Sequence, residues 1–489
     1  MAGRTAVPGA WVNRRASHRR SPPSLENHRP RPGFEDTRVS ATRGEAPRGL
    51  AERPGEAHPW APPRPSTPSM PYLRALLGLA FFVGVAWAMS SRRDRFPARV
   101  VVYGIGLQIV LAIFCLKTSM GERLFGGISA GVTKLISMTK PGAELVFGQL
   151  ANENFGEGGW GYAFAFASTG LTVILFFSAL MSILYHLGIM QVLIYGLARV
   201  MTTLMGVSGA ESMAMAANVF VGQTEAPLVV KPYVPRMTRS ELNAMMTGGF
   251  ATIAGSVLAV YMGMIGDELG PHLLAASVMS APGAFLIAKV MLPETEESVT
   301  GSRVELRVER TASNVIEAAA AGTSDGAKLW LNVIAMLIAF MGLVALCNWP
   351  LEALGAALEL EGGLSIQRIF GWIFAPVAWF MGVDGLADCQ AFGTLLGTKI
   401  AVNEFVAFQE LAVATGATGE AVTLGPKASA MAAYALCGFS NFASIGIQIG
   451  GISPLAPERR GEISGLALRA MFGGAFASWM TATVAGAFL

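Results

Sequence analysis

The chain has 489 residues, 52% of them hydrophobic and 14% charged, with a mean hydropathy of +0.48 and a formal net charge of +3. Soluble domains carry charge at roughly 25% of positions, and several apolar runs here exceed the about 20 helical residues that cross a bilayer. The composition therefore indicates an all-α polytopic membrane protein. It argues against a β-barrel, which would alternate in short segments, and a charge of +3 is too small to imply nucleic acid as a partner. The cysteines Cys115, Cys347, Cys389 and Cys437 are scattered through apolar contexts without metal-type spacing and are expected to be small core residues.

In chain order, residues 1–69 hold 12 Arg and 12 Pro with no Lys, a composition that cannot bury enough apolar surface to fold. They are expected to be a disordered extension or a misplaced start, with Met70 the preferred start. Met70 opens the first spanning segment. Apolar helices are expected near 72–90, 98–117 and 168–198, the last long enough to tilt or to include an interfacial turn. A Gly-rich polar stretch at 152–161 reads as a membrane-surface loop. It lacks the preceding strand and following lysine of a phosphate loop.

Residues 200–236 are apolar but broken by the cluster Gly222–Pro227, which predicts two half-length helices with an irregular tip. Such backbone is tolerated at membrane depth only against protein or a cavity. Spans follow at 243–265 and 271–292. A polar stretch at 294–328 predicts an amphipathic surface helix. A clean span is expected at 329–349, ended by Pro350, and a weaker one at 365–383. The second half then repeats the first: 385–426 is broken at Asn403-Glu404, 428–452 carries the polar Ser440, Asn441 and Ser444, and 463–488 is plain. Paired interruptions at corresponding positions of two halves point to a transporter substrate site.

The chemistry of the interruptions narrows the cargo. Ionisable groups at membrane depth are costly and normally serve a purpose, which singles out Glu225 and Glu404. Gln223 offers an amide, Thr224 a hydroxyl and Glu225 two acceptors, a set suited to a heterocycle with donors and acceptors. Glu404 with Asn403, Asn441 and Ser444 suits vicinal sugar hydroxyls, because a carboxylate accepts from two at once. Asn441 and Ser444, three apart, share a helix face. Asn218 and Thr252, with the backbone carbonyls of Val221 and Ile253, form an oxygen set of the kind that coordinates a small hard cation. No imidazole or thiolate cluster favours zinc or copper. Gly248-Gly249 and Gly450-Gly451 suggest close helix packing, and His186 a hydrogen bond within the bundle. Lys231 and Lys399 stand six and five residues from the two glutamates, off helical pairing distance.

These residues fall within motifs that resemble the concentrative nucleoside transporter family: Gly222-Gln-Thr-Glu-Ala-Pro-Leu228, Ala251-Thr-Ile-Ala-Gly-Ser-Val257, Asn403-Glu-Phe405 and Cys437-Gly-Phe-Ser-Asn-Phe-Ala-Ser444. Ser182-Ile-Leu-Tyr-His-Leu-Gly188 and Leu455-Ala-Pro-Glu-Arg-Arg-Gly461 extend the likeness, which covers about Met70 to Leu489 and leaves the preceding tail without a counterpart in bacterial members. The resemblance implies about eight transmembrane helices plus two re-entrant helical hairpins, arranged as scaffold and elevator-type transport domains in a homotrimer of a bacterial-type inner membrane. The scaffold would comprise 70–198 and 294–384, and the transport domain 199–293 and 385–489. It implies that Gln223, Thr224, Glu225 and Val257 contact the base, that Glu404, Asn441 and Ser444 hold the ribose with Phe439 near the base, and that Asn218, Val221, Thr252 and Ile253 bind sodium. Thr252 stands where some members have Ser and keeps the hydroxyl. The implied function is import of nucleosides by symport with sodium, with no other cofactor and no enzymatic activity. Proton-coupled members diverge within the first tip motif, which this chain keeps in the sodium-type form. Proton symport, a nucleoside-binding membrane sensor and an intramembrane hydrolase using Glu225 and Glu404 are the competing readings.

Overall fold

The computed structural model describes residues 71–148, 169–301, 312–360, 363–417 and 422–489. The Arg/Pro-rich segment 1–69 and the Gly-rich loop expected at 152–161 lie outside the described residues. Among the described residues the secondary structure is helical, with no strand.

Helices α1 (Pro71–Ala88) and α2 (Ala98–Lys117) fall where the apolar runs predict them. Both bury one side against the bundle, and leave Leu76, Val102 and Val110 on outward faces suited to lipid tails. Helix α3 (Ser119–Phe147) was not expected from the sequence. Its lysines, its glycines and Pro141 lower its hydropathy below that of a span. Thr118 starts it by accepting the Gly121 amide at 3.0 Å.

The run expected at 168–198 resolves into α4 (Thr169–His186) and α5 (Ile189–Met205), bent by 76° at Leu187-Gly188. Gly188 has φ 83°, a left-handed conformation that glycine adopts without strain. His186 Nδ1 finds no hydrogen-bond partner, so the bundle bond expected of this residue is not made through that nitrogen.

The first broken segment is α6 (Gly209–Asn218) and the short α7 (Ala226–Val229), with an irregular tip between them. Helices α8 (Arg239–Ala251) and α9 (Gly255–Ile265) follow, separated by a break at 252–254, and then the plain α10 (Gly270–Met291). The foot of this unit is ionic and enclosed. Lys289 Nζ lies 2.7 Å from Glu211 and 3.3 Å from Glu294, and donates to Ser240 Oγ at 3.0 Å.

Helix α11 (Val315–Ala357) is continuous over 43 residues and passes through Pro350. The structure thus replaces the expected surface helix and separate span by one helix. A proline removes one intrahelical bond, a loss that neighbours and adjusted backbone make good in membrane helices. Cys347 lies exposed on this helix, whereas Cys115, Cys389 and Cys437 are buried as expected.

Helices α12 (Ile366–Met381) and α13 (Leu386–Ala401) meet at 110°. After a break at 402–403 comes α14 (Glu404–Ala414), then α15 (Pro426–Leu436), a break at 437–441, α16 (Phe442–Ile452) and the plain α17 (Arg460–Phe488). The order broken pair, interrupted helix, plain helix therefore occurs twice. Among the described residues, four segments can cross a membrane by length and composition, namely α1, α2, α10 and the joined α8–α9 stretch Arg239–Ile265, or up to six if each bent pair is one span.

The core lies where α8, α10 and α17 meet. Small residues allow this approach. A Cβ added at Gly474 of α17 would lie 2.7 Å from the Phe250 carbonyl carbon of α8. Arg459, just before α17, donates to the Val234 carbonyl at 3.1 Å and also to that of Met237. It so ties the return leg of the first broken unit to the second half.

Candidate functional site

Glu404 is the first residue of α14 and is buried. Asn403 caps that helix by accepting the Val406 amide at 2.9 Å, so the carboxylate stands at a positive helix end. Tyr261 of α9 donates its hydroxyl to Glu404 Oε1 at 2.8 Å, and Asn441 donates Nδ2 to Oε2 at 2.7 Å. Asn441 in turn caps α16, its Oδ1 accepting the Ser444 amide at 2.8 Å. Two helix N-termini, α14 and α16, thus converge on one carboxylate with a buried serine beside it.

The first tip is a tight turn. The amides of Glu225 and Ala226 donate to the Gly222 carbonyl at 3.1 and 3.0 Å, and the Glu225 carboxylate accepts the Gly222 amide. Gln223 is buried with an unpartnered Oε1, Thr224 is half-buried and Glu225 is exposed. The tip is pinned by two further bonds: the Gly255 amide to the Phe220 carbonyl and Ser277 Oγ to the Val219 carbonyl, both 3.0 Å.

Helix α16 connects the two tips. Asn441, Ser444, Gln448 and Gly451 recur at spacings of three and four and so share a face. Asn441 holds Glu404. Gln448 Nε2 donates to the Met246 carbonyl at 3.0 Å, and both Gln448 and Gln223 crowd the space above Gly249. Gly451 receives Thr224, whose Cγ2 lies 2.6 Å from where a Cβ would stand. Close packing is therefore found at Gly248, Gly249 and Gly451, but Gly450 faces open space.

The expected cation ligands also come together. Asn218, the last residue of α6, is buried and donates to the Met245 carbonyl at 3.4 Å, leaving Oδ1 without a partner. Thr252 Oγ1 donates to the Gly248 carbonyl at 2.9 Å, and Asn218 Nδ2 lies against Gly248. Val221 and Ile253 fall in the two adjoining breaks, which the Gly255–Phe220 bond holds together. A buried, unsatisfied carboxamide oxygen beside two breaks is what an oxygen-bound cation requires. Among the described residues no group of three His, Cys, Asp or Glu could hold a metal ion.

Val257 is buried on α9 and Phe439 half-buried in the α15–α16 break. The structure brings neither into a side-chain hydrogen bond, as befits apolar groups. Sequence reasoning missed Tyr261, whose ring stacks on Phe408 at 4.3 Å. A tyrosine in an apolar run reads as core. It also missed Gln448, although a lone amide in Ile445-Gly-Ile-Gln-Ile449 was a visible signal.

Profiles of the Na+ dependent nucleoside transporter N-terminus and C-terminus match residues 77–150 and 272–486, and a nucleoside recognition profile matches 167–268. A protein described as an uncharacterized transporter from Haemophilus influenzae is 44% identical over 420 residues, spanning 86% of this chain and 98% of that protein. Sodium/nucleoside cotransporter 1 of Mus musculus is 40% identical over 424 residues. That match spans 85% of this chain but 63% of the mouse protein, so the chain covers less than two thirds of that relative. Solved structures of CNTnw are similar at 39% identity. One is inward-facing and substrate-bound (TM-score 0.79, covering 86% of this chain and 98% of that one), and another is outward-facing (0.80, 86% and 99%). These relatives are transporters, so the reading of Glu225 and Glu404 as the acid/base pair of a hydrolase is overturned. By its profiles and relatives, the chain is a multi-pass membrane protein that belongs to the concentrative nucleoside transporter family.

Proposed function

We propose that the chain imports nucleosides by symport with sodium. In this reading Gln223, Thr224, Glu225 and Val257 meet the base. Glu404, Asn441 and Ser444 take the ribose hydroxyls, and Phe439 lies along the base. Sodium, as the co-transported cargo, binds among Asn218, Val221, Thr252 and Ile253. Residues 70–198 and 294–384 form the scaffold of a homotrimer in a bacterial-type inner membrane. Residues 199–293 and 385–489 move as the transport domain.

The observation that carries sodium coupling is the buried, unpartnered Oδ1 of Asn218 beside the breaks after α6 and α8. A cation there satisfies that oxygen and orders the first tip, which packs on α16 through Thr224 and Gly451. Binding is then mutually reinforcing, since nucleoside raises sodium affinity by the factor by which sodium raises that of nucleoside. One charge moving inward at −100 mV contributes about 2.3 kcal/mol, enough for about fiftyfold accumulation of a neutral nucleoside.

Uptake of labelled uridine into proteoliposomes tests this. A sodium gradient is expected to drive accumulation, and a pH gradient in sodium-free buffer is not. Uptake driven by the pH gradient instead makes the carrier a proton symporter. Uridine binding without counterflow makes it a sensor.

A further inference from the structure

Helices α1 and α2 can each cross a bilayer, so the connection between them, residues 89–97, lies at the membrane surface. It is basic. Arg92, Arg93, Arg95 and Arg99 stand within eight residues, offset by Asp94 alone, and all four are exposed. Among the described residues none of the four makes an ion pair. The connection is nonetheless folded. The Ser91 amide donates to the Met291 carbonyl at 3.1 Å, Arg93 Nη2 to the Ala88 carbonyl at 2.7 Å, and Trp87 Nε1 to the Arg93 carbonyl at 3.1 Å. Arg99 donates to the Leu204 and Thr203 carbonyls, at 3.3 and 3.2 Å, at the C-terminal end of α5. The Arg92 and Arg95 guanidinium groups donate no hydrogen bond among the described residues.

Four cations held together with one acid among them repel one another, and an external anion relieves that repulsion. At the membrane surface the abundant anion is the phosphate of an acidic lipid. The surroundings fit a lipid better than a soluble anion. Trp87, Met89, Phe96 and Tyr103 are exposed beside the arginines, as aromatic residues are at a membrane interface. Val102 and Val110 continue this apolar surface along α2. A cavity of about 500 Å³ lies behind Arg95 and Phe96. Among its lining charges Arg95 and Lys289 equal Glu211 and Glu294 in number, so it gives an uncharged polar headgroup room without excess charge.

We propose that the α1–α2 connection is a binding site for an anionic phospholipid. Arg92 and Arg95, whose guanidinium groups are free, hold the phosphate. Arg93 and Arg99, tied to the fold by their own bonds, add charge behind it. The acyl chains run along α2 beside Tyr103 and Val102. The site shares no residue with the first tip, the Glu404 cluster or the cation ligands, so it stands whatever cargo the chain carries.

Native mass spectrometry of the full chain in detergent, titrated with phosphatidylglycerol or with phosphatidylcholine of the same acyl chains, reads the lipid retained. Phosphatidylglycerol is expected to bind about tenfold more tightly or better. An arginine near an anionic surface is worth about fivefold in affinity. Arg92→Gln with Arg95→Gln is therefore expected to weaken phosphatidylglycerol binding about thirtyfold, leaving phosphatidylcholine binding and the melting temperature in phosphatidylcholine unchanged. A charge-matched control on α3, Arg123→Gln with Lys134→Gln, is expected to keep most of the parent affinity. Phosphatidylglycerol bound no more tightly than phosphatidylcholine, or undiminished in the Arg92 and Arg95 variant, overturns the site. So does an equal loss in the α3 control. Inorganic phosphate raising the melting temperature as far as phosphatidylglycerol does would make this a soluble-anion site and overturn the lipid assignment.

Discussion

Asn441 Nδ2 lies 2.7 Å from Glu404 Oε2, while the same side chain caps α16 through its Oδ1. One asparagine thereby fixes both a helix start and the orientation of a buried carboxylate. The other carboxylate oxygen is fixed by Tyr261. A group with this much support is preorganised to accept from a ligand.

Glu404→Gln keeps the shape and loses the charge. Hydrogen bonds to a charged acceptor are worth about 1.5–3 kcal/mol, so the uridine KM is expected to rise about tenfold to a hundredfold with the carrier still in the membrane. Uptake kinetics alongside surface quantification check this. Near-normal transport removes Glu404 from the site.

Tyr261→Phe deletes one donor and leaves the stack on Phe408 in place. The bond is made in the folded protein to a charged acceptor, so its loss is expected to cost about 1.5–3 kcal/mol, seen as a lower melting temperature and a raised uridine KM.

Gly451→Ala drives a methyl group against Thr224 Cγ2. Overpacking costs about 1–3 kcal/mol, expected here as nucleoside binding weakened about fivefold to a hundredfold by a displaced tip. Thr224→Ser removes the opposing methyl and is expected to restore part of the affinity. Binding titrations on the two single variants and the double variant measure that coupling.

Asn218→Ala removes the unpartnered oxygen. The sodium half-saturation of uptake is expected to rise about tenfold, with the uridine KM nearly unchanged at saturating sodium. A parallel sodium dependence in the variant and the parent excludes Asn218 as a ligand.

Lys289→Met strands Glu211, which the lysine meets at 2.7 Å. Breaking a buried pair costs about 3–5 kcal/mol, so folded yield is expected to collapse. Lys289→Met with Glu211→Leu is expected to recover it, as read by detergent size-exclusion and melting curves.

The paired interruptions were legible because a membrane segment tolerates few polar residues. Glu225, Glu404, Asn441 and the breaks around them stand out against apolar sequence, and their repetition implied two matching units. Helix α3 was not legible, since its glycines, its lysines and Pro141 blur the apolar signal. Nor was the continuity of α11 through Pro350, because local propensity argues for a stop that the surrounding helices override.

The sequence by itself determined the class of protein, the order of broken and plain helices in the two repeated units, and the polar residues available for binding, since hydropathy and turn chemistry are local. Only the tertiary structure decided which of those residues meet. Tyr261 reaches Glu404 across 143 positions of sequence, Thr224 finds Gly451, and Lys399 turns to Ala435 and Ser478 instead of pairing along its own helix. Those partnerships depend on how closely small residues let the helices approach, and spacing along one chain does not encode that distance.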